Sequence, residues 1–121
     1  MTARNTPTPA RSSSALAATT GSAPIFAALG DETRLRLVAR LCNEGPMSIA
    51  RLTADARVTR QAVSKHLRVL EDARLVRSNR QGRESIWELN RRRVEEASHY
   101  LDLISRQWDD TLERLRQFVE E

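Results

Sequence analysis

Hydrophobic positions recur at helical spacing from about residue 24, alternate from residue 76, and return to helical spacing from residue 91. Ile25-Phe26-Ala27-Ala28-Leu29 predicts a short apolar helix, with Pro24 in its first turn and Gly30 at its end. Asp31 caps a second helix, Glu32 to about Asn43, with Leu35, Val38 and Leu41 or Cys42 inward and Arg34, Arg36 and Arg40 elsewhere. Asn43-Glu44-Gly45-Pro46 is a stop signal. Met47-Ser48-Ile49 suits a residual strand, after which Ser48 caps a short helix through about Asp55, held by Ile49 and Leu52. Ala56-Arg57-Val58 is a turn, and Thr59 caps a helix that runs to about Ala73.

The period then shortens. Val76 to Arg80 and Glu84 to Leu89 predict two short strands around Gln81-Gly82. Ser85, Trp87 and Leu89 alternate there with Ile86 and Glu88, as on a half-buried strand. Asn90 can cap a last helix, Arg91 to near Glu121, whose stripe is Val94, Ala97, Leu101, Ile104, Trp108, Leu112, Leu115 and Val119. About 30 residues at 1.5 Å each span roughly 45 Å. That exceeds what a domain of this size covers with its own core. The surplus stripe predicts a partner helix, most simply from a second copy; a helix lying along its own domain is the plainer alternative. Met1 to about Ser22 lacks periodicity and is rich in Thr, Ser, Pro and Ala, so a disordered tail is expected over 1–22 and a folded unit over 23–121.

At 100° per residue, the helix over 59–73 divides into two faces. Val63, Leu67 and Leu70, flanked by Ala62, His66 and Val69, form a buried stripe. Arg60, Gln61, Ser64, Lys65 and Arg68 lie opposite, with no acid before Glu71. Gln pairs bidentately with adenine, Arg and Lys with guanine, and Ser with several base edges. A surface helix with a solvated basic face is the bland reading of this stretch alone. The preceding short helix and turn convert it into a helix-turn-helix whose second member reads the major groove. The following hairpin, 76–89, carries Arg77, Arg80 and Arg83 and so reads as a wing reaching phosphate or minor groove. Ser48 and Thr59, at helix N-termini on this side, join the DNA-contact candidates. The expected fold is mainly α with a small β-hairpin.

Composition changes this picture little. The 121 residues allow one domain, and a net charge of +4 favours a polyanionic partner. Aromatics are only 4%, so the core must be aliphatic. No apolar run approaches a membrane span, and the N-terminus lacks a signal-peptide h-region, so a cytoplasmic location without membrane contact is expected. The single cysteine, Cys42, excludes an intrachain disulfide and any multi-Cys zinc site. It reads as a small core residue, with a thiol switch as the alternative.

Three local patterns carry a resemblance to a known family. They are Ala28-Leu29-Gly30-Asp31-Glu32-Thr33-Arg34, the run from Val58 to Val76, and Arg80-Gln81-Gly82-Arg83 before a strand. In helix order and in these motifs the chain resembles the ArsR-type bacterial winged-helix repressors, from about Pro24 to Glu121. Many relatives have Gly at the position of Arg74. The resemblance implies a homodimer paired through the first and last helices. Ile25, Phe26 and Leu29 would meet Leu101, Ile104, Trp108, Leu112 and Leu115 there. It also implies repression from an inverted-repeat operator. The tail from Trp108 to Leu115 resembles a metal-independent branch. Metal-sensing members carry cysteines where this chain has Ser48-Ile49-Ala50-Arg51-Leu52, or paired His and carboxylates on the last helix, where this chain has only His99 and Asp102. No metal or other cofactor is therefore expected.

Two other function classes fit the residues less well. Catalysis finds no nucleophile-base signature, since Cys42, His66 and His99 fall on separate helices, and no Gly-rich phosphate loop is present. His66 itself reads as a packed residue. A winged helix turned protein-interaction module predicts a reading face without base readers, and this face has five.

Overall fold

The structure, a computed structural model, describes residues 21–120. The expected tail lies outside them except at its end: Gly21 and Ser22 already belong to the first helix, α1, whose described part is 21–29. Pro24 thus stands inside that helix. Its partners in order are α2 (Glu32–Glu44), β1 (Met47–Ser48), α3 (Ile49–Ala54), α4 (Arg60–Asp72), β2 (Val76–Gln81), β3 (Glu84–Leu89) and α5 (Arg91–Glu120).

Local chemistry sets these boundaries. Asp31 caps α2 by accepting the Arg34 amide at 3.1 Å, and Ser48 caps α3 by accepting that of Arg51 at 3.2 Å. Gly45 ends α2 with φ 85° and returns its amide to Leu41 at 3.1 Å. The end of α4 is a Schellman closure: Leu75 N–H reaches Leu70 O at 2.9 Å and Arg74 N–H reaches Glu71 O at 2.8 Å. That closure puts Arg74 at φ 63°, a conformation natural to glycine.

The sheet has the order β1-β3-β2, all antiparallel. Val76, Ser78 and Arg80 oppose Leu89, Trp87 and Ser85, so these six share one face, and Met47 joins it opposite Trp87. Val76 and Met47 are buried there and Trp87 and Leu89 pack beside them. Gly82 and Arg83 join β2 to β3; only Gly82 has positive φ (63°), as a type II′ turn requires.

The core gathers Ile25 and Ala28 of α1, Leu37 and Leu41 of α2, Leu52 of α3, Val63, Leu67 and Leu70 of α4, and Leu75 and Val76 entering β2. Four residues depart from expectation, among them Val69, expected beside the buried stripe of α4 but 40% exposed on its outward side. Leu35 is 51% exposed, because Leu37 and Leu41, a turn apart, take the inward direction with Val38 beside them. Cys42 is exposed, since it stands 100° round α2 from the buried Leu41. His66 is only half-buried and meets polar partners instead of the apolar packing expected of it.

Candidate nucleic-acid interface

The interface is built by α3, the connection 55–59, α4 and the β2–β3 hairpin. Arg40 fixes the first pair of helices. Its side chain donates to the carbonyls of Arg51 at 3.3 Å and Leu52 at 3.2 Å, and it pairs with Glu44 at 3.2 Å and Asp55 at 3.3 Å. Carbonyls near the end of α3 thereby gain donors that the helix cannot supply. Thr59 then caps α4 by accepting the Ala62 amide at 3.1 Å.

With Val63, Leu67 and Leu70 fully buried, the opposite side of α4 has nowhere to go but outward. Arg60, Gln61, Lys65 and Arg68 are exposed and Ser64 is half-buried. Gln61, Ser64, Lys65, Arg68, Val69 and Asp72 line an open hollow along this side. The first turn of α4 has no acidic residue. Free amides, a positive helix end and two cationic or amide side chains therefore coincide at Arg60 and Gln61.

The arginines of this chain divide by what they touch. Arg36, Arg40, Arg51, Arg77, Arg93 and Arg116 each hold a carboxylate. Among the described residues, Arg60, Lys65, Arg68, Arg80 and Arg83 make no ion pair, and neither does Arg57 in the connection. Arg74, Arg91, Arg92, Arg106 and Arg114 are likewise without ion pairs among the described residues, but Arg60, Lys65 and Arg68 share the outward side of α4, and unpaired cations on one side are what a phosphate backbone neutralises.

The sequence-predicted contacts are not all equivalent. Arg80 and Arg83 reach the exposed end of the hairpin. Arg77 does not join them: Glu88, directly opposite it on β3, accepts from its Nε at 3.0 Å and from Asn79 at 2.8 Å. That cross-strand pair engages the Arg77 Nε, whereas Arg80 and Arg83 make no ion pair. Ser48 and Thr59 spend a lone pair on their helix caps and keep a hydroxyl proton to donate.

Two residues that position α4 stand out only once the chain is folded. Arg93 of α5 is buried; its Nε donates to Ala73 O at 3.0 Å, at the C-cap of α4, and its Nη1 meets Glu96 at 2.7 Å. Arg34 joins Ala28 O at the end of α1 to His66 on the back of α4. The sequence held a signal for both. Arg93 lies four residues before the buried Ala97 and Arg34 three before the buried Leu37, so each shares an inward face.

The dimer candidates also separate. Leu101, Trp108, Leu112 and Leu115 of α5 are 52–61% exposed in the single chain, and Ile104 is half-buried. Phe26 and Leu29 are half-buried, with Phe26 tilted against Tyr100 of the same chain at 5.9 Å between centroids. Ile25 has no exposed surface at all: it belongs to the chain's own core, which corrects its placement at an interface. Among the described residues no three His, Cys, Asp or Glu side chains gather as a metal would need, and no helix is long and apolar enough to cross a membrane.

This geometry has relatives. A family model described as a helix-turn-helix domain matches residues 29–79. The chain is 45% identical to the uncharacterized HTH-type transcriptional regulator YuzN of Bacillus subtilis, over 49% of this chain and 71% of the relative. It is 37% identical to the arsenical resistance operon repressor of the same organism, over 54% of this chain and 62% of that repressor. An ArsR-like transcriptional regulator from Rhodococcus sp. RHA1 superposes with TM-score 0.70 at 32% identity, covering 82% of this chain and 92% of that one.

Proposed function

The chain belongs to the ArsR-type family of helix-turn-helix transcriptional regulators, and on that premise we propose that it is a homodimeric cytoplasmic repressor that binds an inverted-repeat operator. The observation that carries the reading is the outward face of α4. Arg60, Gln61, Ser64, Lys65 and Arg68 are held there by a fully buried back, and their cations lack ion-pair partners among the described residues. Arg60 and Gln61 enter the major groove first, because they open the helix. Arg80 and Arg83 of the hairpin, with Arg57 in the connection, meet phosphate or the adjacent minor groove and set the register.

A second copy completes the machine. The uncovered stripe of α5 supports pairing with its counterpart, flanked by Phe26 and Leu29 of α1. Two reading helices related by a two-fold axis then address successive major grooves. Neither step calls for a metal, and we assign the chain to a branch of the family that senses none.

Purified protein incubated with genomic fragments at moderate salt tests the reading. Enrichment of a defined sequence is expected, with Gln61→Ala relaxing the preference at one base position. Unchanged affinity and preference across alanine variants of all five face residues would remove α4 as the reader.

A further inference from the structure

We propose that Arg34 is a positioning residue for the reading helix: through His66 it ties the back of α4 to the α1–α2 junction, and a proton on His66 moves that tie from Arg34 to Asp31, shifting α4. The inference rests on the DNA-binding reading above and adds to it a control point that never touches DNA.

Arg34 reaches two elements at once. Its Nε donates to the carbonyl of Ala28, in the last turn of α1, and its Nη1 lies 3.2 Å from His66 Nδ1. A guanidinium only donates. His66 must therefore accept through the Nδ1 lone pair and carry its proton on Nε2. Asp31 completes the cluster. Its Oδ2 accepts the Arg34 amide at 3.1 Å and stands 3.8 Å from His66 Nδ1. His66 itself lies across α4 from Gln61, Lys65 and Arg68, about 160° from the middle of the reading face at 100° per residue. It can influence reading only by holding the helix.

A proton from solvent on Nδ1 removes the acceptor that His66 offers the Arg34 Nη1. Two cations then confront each other, and the imidazolium is drawn to Asp31. The Arg34 amide holds the Asp31 carboxyl below the usual carboxylate range, helped by the charges of His66 and Arg34. Asp31 thus keeps its charge at neutral and mildly acidic pH. Among the described residues the other charged groups of α2 pair with one another, Glu32 with Arg36 and Arg40 with Glu44. The described part of α1 has no ionisable side chain, and on α4 itself the residues one turn away are Ala62, Val63, Val69 and Leu70. On α3 the sole ionisable side chain is Arg51, which pairs with Glu44; on β2, Arg77 is held by Glu88 and Arg80 stands at the tip; Arg93 of α5 serves the far end of α4. Acid therefore exchanges a tie between α4 and Arg34 for one between α4 and the Asp31 cap.

The test uses the full chain and a DNA fragment enriched by selection, with affinity measured at about pH 8 and pH 5.5 at constant salt. His66→Asn keeps an acceptor at the Nδ1 position and does not titrate. It is expected to bind as wild type at the higher pH. Wild-type affinity should then fall roughly tenfold more than that of His66→Asn on acidification, the size of one charge-assisted hydrogen bond. Arg34→Lys, which cannot serve both partners in this geometry, should bind more weakly at the higher pH and show the flatter profile. Parallel pH profiles for wild type and His66→Asn would overturn the proposal, as would a folded His66→Asn that fails to bind at the higher pH. A wild type that enriches no fragment at any pH would instead overturn the DNA-binding reading itself.

Discussion

Helices α4 and α5 are both amphipathic, yet they leave opposite faces uncovered. Helix α4, 13 residues long, spends its apolar side on the core through Val63, Leu67 and Leu70 and turns arginine, lysine and glutamine outward. Helix α5, 30 residues long, buries only Arg93 and Ala97, and Leu101, Trp108, Leu112 and Leu115 stand in the open. An uncovered cationic face is stable in water and awaits a polyanion. An uncovered leucine and tryptophan stripe is costly in water and awaits another apolar surface. Each helix thus identifies its missing partner by what it fails to bury, and the two partners differ in kind.

Trp108 carries the largest expected effect. It is 61% exposed in the single chain and would be buried in the proposed dimer. Truncating a buried Trp costs roughly 3–5 kcal/mol, so Trp108→Ala should leave the protein monomeric at micromolar concentration in sedimentation and weaken operator binding with it. Leu101→Glu should act in the same direction. If both variants stay dimeric, the exposed stripe is not the dimer face.

On α4 the expected effect is smaller and more selective. Gln61→Ala and Arg60→Ala should each cost about 1–3 kcal/mol on the cognate site, with thermal stability unchanged because neither residue packs. A competition assay with single-base operator variants separates lost base reading from a uniform loss.

The hairpin sharpens the division between committed and free arginines. Removing Arg80 or Arg83 should lower the slope of log affinity against log salt by about 0.9 per phosphate contact. Arg77→Ala should leave that slope in place, because Glu88 already neutralises Arg77. Equal effects at all three positions would show that the ion pair does not decide which arginines reach DNA.

The smallest effect is expected at the joint where α4 ends. Arg74 holds φ 63° in the Schellman closure, and Arg74→Gly should stabilise the chain by roughly 0.5–1 kcal/mol in thermal unfolding while operator affinity stays constant.

How far the sequence revealed this molecule depends on the range of the interactions. Helix caps at Asp31, Ser48 and Thr59 and the alternation of β3 are local, and they stand in the structure where the pattern puts them. The faces of α4 are legible for the same reason at Val63, Leu67 and Leu70, but not at His66 and Val69 on the flank of that stripe. Leu35 and Cys42 were not, because α2 offers leucine or valine at four positions and only packing against α4 and β3 decides which pair turns inward. Arg34 and Arg93 were hidden differently. A lone arginine on a buried stripe looks like noise until the carbonyl it serves, six or twenty residues away, is folded beside it. The pairing of Arg77 with Glu88 is invisible in the sequence, because only the strand register brings the two opposite.

Selection of random double-stranded DNA by the full-length protein most directly tests whether two copies of α4 read one site. An enriched motif should consist of two half-sites related by a dyad, their centres one helical turn apart, about 10 bp or 34–36 Å. Trp108→Ala should lose the requirement for the second half-site while still preferring the first. Enrichment of a single asymmetric site by a monomeric wild type, or no enrichment above random sequence, would contradict the division of labour between a reading helix, α4, and a dimer helix, α5.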